Sequence, residues 1–368
     1  MMRIFTAPSR YVQGRDATAF LGRELTHLGL SGSVFILASP TAQRLLEGTW
    51  RTALSDAGFK FSVRTFGGEC SQGEIDAGIA AATASGASVV VGAGGGKALD
   101  AARAIAGALA LPVVNCPTLA STDAPCSALS VVYTDDGTFE RLIFYPRNPD
   151  LVLVDTAVVA AAPRRHLVSG MGDALATWYE ARSVIAAHSP NQVGGATTVA
   201  AAALARACAD TLYADGVAAA IAVANNTVTP ALERVVEANT LLSGLGFESG
   251  GLAIAHSVHN GLTMAPGTHS YLHGEKVSFG LLVQLVVEGQ SSAEFAQVSS
   301  FARSVGLPTT LAEIGLADLD SETLDRIAER TVAEGETAHH EPFEVTATMI
   351  RDGILAADAQ ARALAGQG

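Results

Sequence analysis

Val89-Val90-Val91-Gly92-Ala93-Gly94-Gly95-Gly96-Lys97-Ala98-Leu99-Asp100 reads as a short buried strand, a glycine loop and the first turn of a helix. Amides at a helix N-terminus with no Cβ in the way can approach a phosphate closely. Two familiar phosphate motifs fail here. G-x-G-x-x-G needs glycine where Lys97 stands, and a Walker A needs glycine at Val91 and Ser or Thr at Ala98. A tight structural turn and a pyrophosphate cradle therefore both fit the loop, and Lys97, placed to reach an anion, favours the cradle.

The pattern around this stretch repeats. Strand-like runs at 33–37, 61–66, 88–91, 111–114 and 151–155 alternate with helical windows at 41–57, 73–85 and 97–109. Such alternation predicts βαβ units and a parallel sheet, a Rossmann-like α/β domain over residues 1–160. Residues 127–133 and 141–145 form a hairpin across a turn at 134–138. From 161 to 368 the apolar residues recur at helical spacing, which predicts an all-α second domain. In an open α/β sheet, ligands bind beyond the carboxyl ends of the strands. The glycine loop and the hydroxyl-rich segment 115–127 both lie there, the latter as turn chemistry or as a ligand wall.

Composition narrows the function classes. Across 368 residues, 23 Lys+Arg stand against 36 Asp+Glu, a net charge of −13 that excludes a nucleic-acid or anionic-membrane surface. The Ala-rich stretch from Ala196 to Cys208 is interrupted by Thr197, Thr198 and Arg206, and the run after Ala218 stops at Asn225-Asn226. Neither reaches the roughly 20 apolar residues of a membrane span. Cys70, Cys116, Cys126 and Cys208 form no C-x-x-C pair, and the N-terminus lacks a secretory pattern, so a reducing cytoplasmic setting is expected.

Four histidines share one window. His256 and His259 lie three apart on a helix expected over 251–264; Pro266-Gly267 breaks it, His269 follows, and His273-Gly274 opens the next helix. Upstream, Gly170-Met171-Gly172-Asp173 puts a carboxylate at an expected helix start among apolar neighbours, costly to bury without a cation. Two imidazoles and one carboxylate suit a catalytic metal site with an open position, although scattered His and Asp also serve as hydrogen-bonded core residues. His339-His340-Glu341 reads as a solvated loop, and His27, His166 and His188 as structural.

Gly94-Gly95-Gly96-Lys97 with Asp100, residues 117–125, Gly170-Met171-Gly172-Asp173-Ala174 and His273-Gly274-Glu275-Lys276-Val277 together resemble the glycerol dehydrogenases of the iron/zinc-dependent polyol dehydrogenase superfamily. The motifs keep their order over nearly the whole chain. The resemblance implies a dehydroquinate synthase-like architecture with a site in the cleft between two domains, NAD as cofactor, and Asp173, His256 and His273 as metal ligands. Ser39, Gly94, Gly95, Gly96, Lys97, Thr118, Ser121, Ser127, Leu129 and Tyr133 would face the dinucleotide, and Asp123 the hydroxyls of a small polyol.

Iron-type relatives place a further ligand histidine four residues after the Asp; Thr177 stands there, which favours Zn²⁺ over Fe²⁺. Glycerol dehydrogenases usually end the 34–37 strand with a ribose-binding Asp, where this chain has Ala38-Ser39, weakening strict selectivity for NAD over NADP. The implied reaction is oxidation of glycerol or a similar vicinal diol to dihydroxyacetone, in a homo-oligomer, an octamer by resemblance. A different small alcohol or hydroxy acid as substrate, a dehydroquinate synthase-like lyase and a non-catalytic dinucleotide-binding protein are the alternatives. The lyase would need several basic groups for a phosphate and a carboxylate, and Lys97 and Lys276 are the main candidates.

Overall fold

The computed structural model describes residues 1–366 other than Asp136, which falls within the expected 134–138 turn and so outside the described residues. Its strands are β1 (Tyr11–Gly14), β2 (Ser33–Ala38), β3 (Lys60–Thr65), β4 (Val89–Gly94), β5 (Val113–Pro117), β6 (Leu129–Tyr133), β7 (Phe139–Phe144) and β8 (Leu151–Asp155). Between and after them run α1 (Leu21–His27), α2 (Pro40–Asp56), α3 (Gln72–Ala84), α4 (Gly96–Leu109) and α5 (Thr156–Ala160). Six strands form a parallel sheet in the order β1-β8-β5-β4-β2-β3, and β6 and β7 pair as a separate antiparallel hairpin.

Successive side chains of β2 point to opposite faces. Val34 and Ile36 pack with Trp50 and Leu54 of α2, while Phe35 and Leu37 pack with Ile75 of α3 and Ile105 of α4. Helices thus cover both faces, the expected doubly wound arrangement. Since α2 and α4 follow neighbouring strands β2 and β4 but lie on opposite faces, their N-termini diverge from one crevice at the strand ends. This is the topological switch point, where such sheets bind ligands. β1 escapes sequence reading because it is four residues long and ends in Gln13-Gly14; it exists through its pairing with β8, Tyr11 opposite Val152.

The chain continues through α6 (Arg164–Ala187), α7 (Val199–Ala224), α8 (Pro230–Glu237), a π-helical turn (Ala238–Leu242), α9 (Ser243–Gly250), α10 (Ile254–Leu262), α11 (His273–Val287), α12 (Ser292–Val305), α13 (Ser321–Thr331) and α14 (Ala347–Ala365). One compact unit comprises Thr6–Pro163 and Ala222–Gly244; the other comprises Met1–Phe5, Arg164–Ile221 and Leu245–Gly368. In place of a single boundary near 160, the chain returns to the sheet unit for α8 and the π-turn. Side chains decide this: Gln13 Nε2 and Thr156 Oγ1 both donate to the Glu233 carboxylate of α8, at 2.8 and 2.7 Å.

The two Ala-rich runs, read as separate, are the single helix α7, and Asp215-Gly216 does not interrupt it. Gly216 leaves room for the Phe301 ring, whose Cε2 lies 2.8 Å from where a Cβ would stand. By length and hydropathy alone α7 could cross a membrane. However, Ala201, Ala205, Cys208, Leu212 and Ala219 form a buried stripe, and Arg206 pairs with Asp210 on the exposed side, so α7 packs as a core helix.

His339-His340-Glu341 is not a solvated loop: Thr337–His340 is a 3₁₀ turn, His340 Nδ1 lies 3.0 Å from the Leu252 carbonyl, and Glu341 is buried. Burial first, then the Glu288 carboxylate, pushes the Glu341 carboxyl up to about 8. The folded chain therefore binds this proton more tightly than the unfolded chain, and stability falls as pH rises from the ordinary carboxyl range towards 8. Glu341→Gln is expected to flatten that decline, measured as denaturation midpoint from pH 5 to 8; an unchanged slope would remove Glu341 as its source.

Candidate functional site

The glycine loop sits where β4 meets α4. Gly94 has φ 158° and Gly95 caps α4; a Cβ on Gly94 would lie 3.2 Å from Ser39 Cβ, so the β2 and β4 ends touch. Ser39 caps α2 by accepting the Ala42 N–H at 3.2 Å. Gly96 opens α4, and the Thr118 N–H donates to the Gly94 carbonyl at 2.9 Å. Lys97, expected to reach an anion, pairs with Glu69 (Nζ–Oε2 2.5 Å) and lies over the Tyr133 ring at 5.0 Å. Leu129 and Tyr133 begin and end β6, both half-buried, and Ser121 is half-buried in the loop after β5.

That loop is held by its own carbonyls. Arg103 Nη1 donates to Ala124 and Ser127, at 2.5 and 2.9 Å, Asn115 Nδ2 to Pro125 at 2.8 Å, and Asn148 Nδ2 to Cys126 at 2.9 Å. Four consecutive acceptors are thereby satisfied from buried side chains, and Asn239 Nδ2 takes the Ala120 carbonyl at 2.9 Å. Arg103, itself buried, is neutralised by Asp100 one turn earlier. The framework leaves Asp123 buried with Ser243 Oγ donating to it at 3.1 Å. Ser127 is wholly buried, its hydroxyl donating to the Ala124 carbonyl at 3.2 Å, so its side chain serves the loop.

In the helical unit, Asp173 lies well inside α6 rather than at a helix start, because Gly170 and Gly172 do not end the helix. Gly172 is instead a crossing point: a Cβ there would come within 2.3 Å of the Gly274 carbonyl oxygen on α11, and one on Gly274 within 1.8 Å of the Ser169 carbonyl oxygen. This approach sets His273 beside Asp173, Nε2 to Oδ1 3.0 Å. A second close approach, at Gly280, where a Cβ would come within 2.3 Å of the Ala255 carbonyl oxygen, packs α11 on α10, which carries His256, with Nε2 3.3 Å from the same Oδ1. Asp173, His256 and His273 each offer one atom to a group whose members lie within 4.8 Å of one another, a spacing that could hold a metal ion. Asp173 has no solvent contact, while the His273 side chain is 34% exposed, so the group opens on that side.

Each histidine has an outer partner: Glu180, which motif reading missed, and His259, which the resemblance implies as an outer or cleft residue. Glu180, two turns after Asp173 and on the same face of α6, places Oε2 2.6 Å from His256 Nδ1. Its Oε1 accepts the Ala253 and His256 N–H groups at 2.9 and 3.0 Å, capping α10. The i, i+7 spacing was the available signal for Glu180. His273 Nδ1 meets His259 Nε2 at 3.0 Å. His269 Nε2 lies instead beside the Thr263 carbonyl at 3.0 Å.

Electrostatics mark the centre. Burial alone would raise the Asp173 carboxyl, but the facing His273 and His256 hold it well below the usual carboxylate range. Burial would lower His256, yet Glu180 and Asp173 hold its pKa well above the ordinary value. Burial, then His273 and Lys276, push His259 well below. A neutral His256 that donates Nδ1–H to Glu180 turns its Nε2 lone pair on the Asp173 carboxylate. That contact is repulsive unless a cation lies between them.

Residues 8–156 match the iron-containing alcohol dehydrogenase family. Over 358 residues the chain is 50% identical to a glycerol dehydrogenase of Pseudomonas putida, covering 97% of this chain and 98% of the relative. It is 47% identical over 362 residues to a glycolaldehyde reductase of Halobacterium salinarum, covering 98% and 99%. The crystal structure of glycerol dehydrogenase from Schizosaccharomyces pombe superposes with a TM-score of 0.95 at 40% identity, covering 99% of this chain and 92% of that one. Likeness of this extent along the whole length makes the chain a member of the iron-containing alcohol dehydrogenase family, in its glycerol dehydrogenase branch.

Proposed function

We propose that this protein oxidises glycerol, or a similar vicinal diol, to dihydroxyacetone with NAD as hydride acceptor, at a divalent ion held by Asp173, His256 and His273. The observation that carries this reading is the convergence of one buried carboxylate and two imidazoles on a single point. The group fits a metal: tetrahedral coordination at roughly 2.0–2.1 Å separates ligand atoms by about 3.3 Å. The two contacts at Asp173 Oδ1 measure 3.0 and 3.3 Å. Three nitrogen and oxygen donors with an open position, and buried Thr177 where iron-type relatives have a fourth ligand, favour zinc over iron.

When bound, the ion supplies Lewis-acid stabilisation of a hydroxyl oxygen that loses its proton, and NAD supplies the hydride acceptor. The chain's own residues do the positioning. Gly94, Gly95 and Gly96 clear space before the α4 N-terminus for a pyrophosphate, and Lys97 stays available on a half-exposed pairing with Glu69. Ser39, Thr118, Ser121, Leu129 and Tyr133 line the same strand-end crevice, and Ser127 braces it. Asp123, fixed by Ser243 and by the carbonyl-anchored loop, orients the substrate hydroxyls. Glu180 keeps His256 turned towards Asp173. Identity of 47% to a glycolaldehyde reductase supports a second reading, reduction of a small hydroxyaldehyde by the same groups in reverse.

Asp173→Asn and His256→Ala are each expected to lower kcat/KM for glycerol roughly a thousandfold, about 4 kcal/mol of transition-state stabilisation, with the fold retained by circular dichroism. Chelation should abolish turnover and added Zn²⁺ restore it; full activity in the metal-free protein would sink the reading. Comparing kcat/KM for glycerol oxidation and glycolaldehyde reduction decides between the two substrates. Ser39→Asp is expected to move the preference for NAD over NADP by about tenfold towards NAD, because a carboxylate there repels the 2′-phosphate.

A further inference from the structure

Outside the proposed ligands, polar side chains form a continuous line running away from His273. His273 Nδ1 and His259 Nε2 are 3.0 Å apart, His259 Nδ1 and Asn260 Oδ1 are 3.1 Å apart, and Asn260 Nδ2 donates to Glu336 Oε2 at 3.0 Å. Glu336 is buried at the start of the 3₁₀ turn after α13, and Arg330 of α13 pairs with its other oxygen. Beyond His259, none of these residues (Asn260, Glu336, Arg330) belongs to a motif the sequence singles out.

The hydrogen-bond roles along this line can be assigned from its far end. Arg330 offers only donors and takes one oxygen of the Glu336 carboxylate, whose other oxygen faces Asn260 as an acceptor. Asn260 must therefore present its NH₂ to Glu336 and its carbonyl oxygen to His259. That oxygen only accepts, so His259 Nδ1 carries the proton and, in a neutral ring, His259 Nε2 is left as an acceptor. His273 must then donate from Nδ1, which leaves the Nε2 lone pair aimed at Asp173 Oδ1 and the point shared with His256. With both rings neutral, as a ligating His273 requires, every role follows from the one before it, and no member can be reversed without setting two donors or two acceptors face to face.

We propose that Glu336, acting through Asn260 and His259, is a positioning residue for the metal centre: it fixes His273 in the tautomer that ligates. The inference rests on the metal reading above. The two histidines are thus oriented differently, His256 directly by the Glu180 carboxylate and His273 through a neutral amide and a second imidazole. Partners of this kind typically set metal affinity by about ten- to a hundredfold.

The test measures Zn²⁺ affinity by competition with a chromophoric chelator, without substrate or NAD, alongside the visible spectrum of the Co²⁺-loaded protein. Glu336→Gln, whose amide can turn either face to Asn260, is expected to weaken Zn²⁺ binding ten- to a hundredfold with an unchanged circular dichroism spectrum. The double variant N260D/E336Q should recover affinity to within about threefold. A carboxylate at position 260 again forces His259 Nδ1 to donate, and the new amide at 336 can donate to it. Asn260→Leu, which leaves Arg330 and Glu336 in place, should show the same loss as E336Q and decides the matter if E336Q does not fold. Wild-type affinity in E336Q, or in N260L should E336Q not fold, overturns the proposal, as does a loss that the double variant fails to recover. Asp173→Asn serves as the separate control. If it binds Zn²⁺ as the wild type does, the metal centre itself is wrong; if it loses the ion while E336Q does not, only the role of Glu336 falls.

Discussion

A carboxylate without solvent contact governs the helical unit. Asp173 sits inside α6, ionised and shielded, and such a charge is tolerated only where compensating positive charge and polar groups converge on it. The chain supplies that convergence by bringing backbones closer than ordinary side chains allow. Glycines at 172 and 274 let α6 and α11 touch, and Gly280 lets α11 settle on the Ala255 carbonyl of α10. Two imidazoles from different helices therefore reach the same oxygen. A side chain at any of these glycines would separate the helices, and with them the Asp173, His256 and His273 side chains.

The sheet unit solves a different problem, that of presenting a loop rigidly at the end of a strand. Divergence of α2 and α4 at the switch point opens the crevice, but the loop after β5 has no secondary structure to fix it beyond one short 3₁₀ turn. Its rigidity comes from side chains acting as backbone partners. Arg103, Asn115 and Asn148 hold the carbonyls of residues 124 to 127, and Asn239 adds a fifth contact from the segment that returns after α7. Buried polar groups used this way specify one conformation, since any other arrangement strands an unsatisfied donor or acceptor.

Much of the fold was legible from local pattern. Apolar runs such as Leu151–Asp155 and the helix beginning at the glycine loop appear where period and punctuation place them. Where local reading failed, long-range contact had decided the outcome. Tyr11–Gly14 is a strand only because β8 pairs with it. Gly170 and Gly172 resembled a helix start because glycine ordinarily weakens helices, yet they mark a crossing. Gly216 sits within α7 without ending it and is a packing site for Phe301. Glu341 looked solvated beside two histidines and is buried, since burial depends on what the folded chain lays over a residue.

The sequence by itself determined the alternation of strands and helices, the glycine loop, and which acid and imidazole side chains were available, because these follow from periodicity, backbone sterics and side-chain chemistry. The motifs that resemble glycerol dehydrogenases pointed further, to Asp173, His256 and His273 as a set. Only the tertiary structure decided that their atoms meet at one point, that Glu180 and His259 stand behind them, and that Glu336 lies at the end of the line from His273. The reason is physical. Where each of these side chains ends depends on helix crossings set by contacts between residues far apart in sequence, such as Gly172 with Gly274, and no local period encodes them.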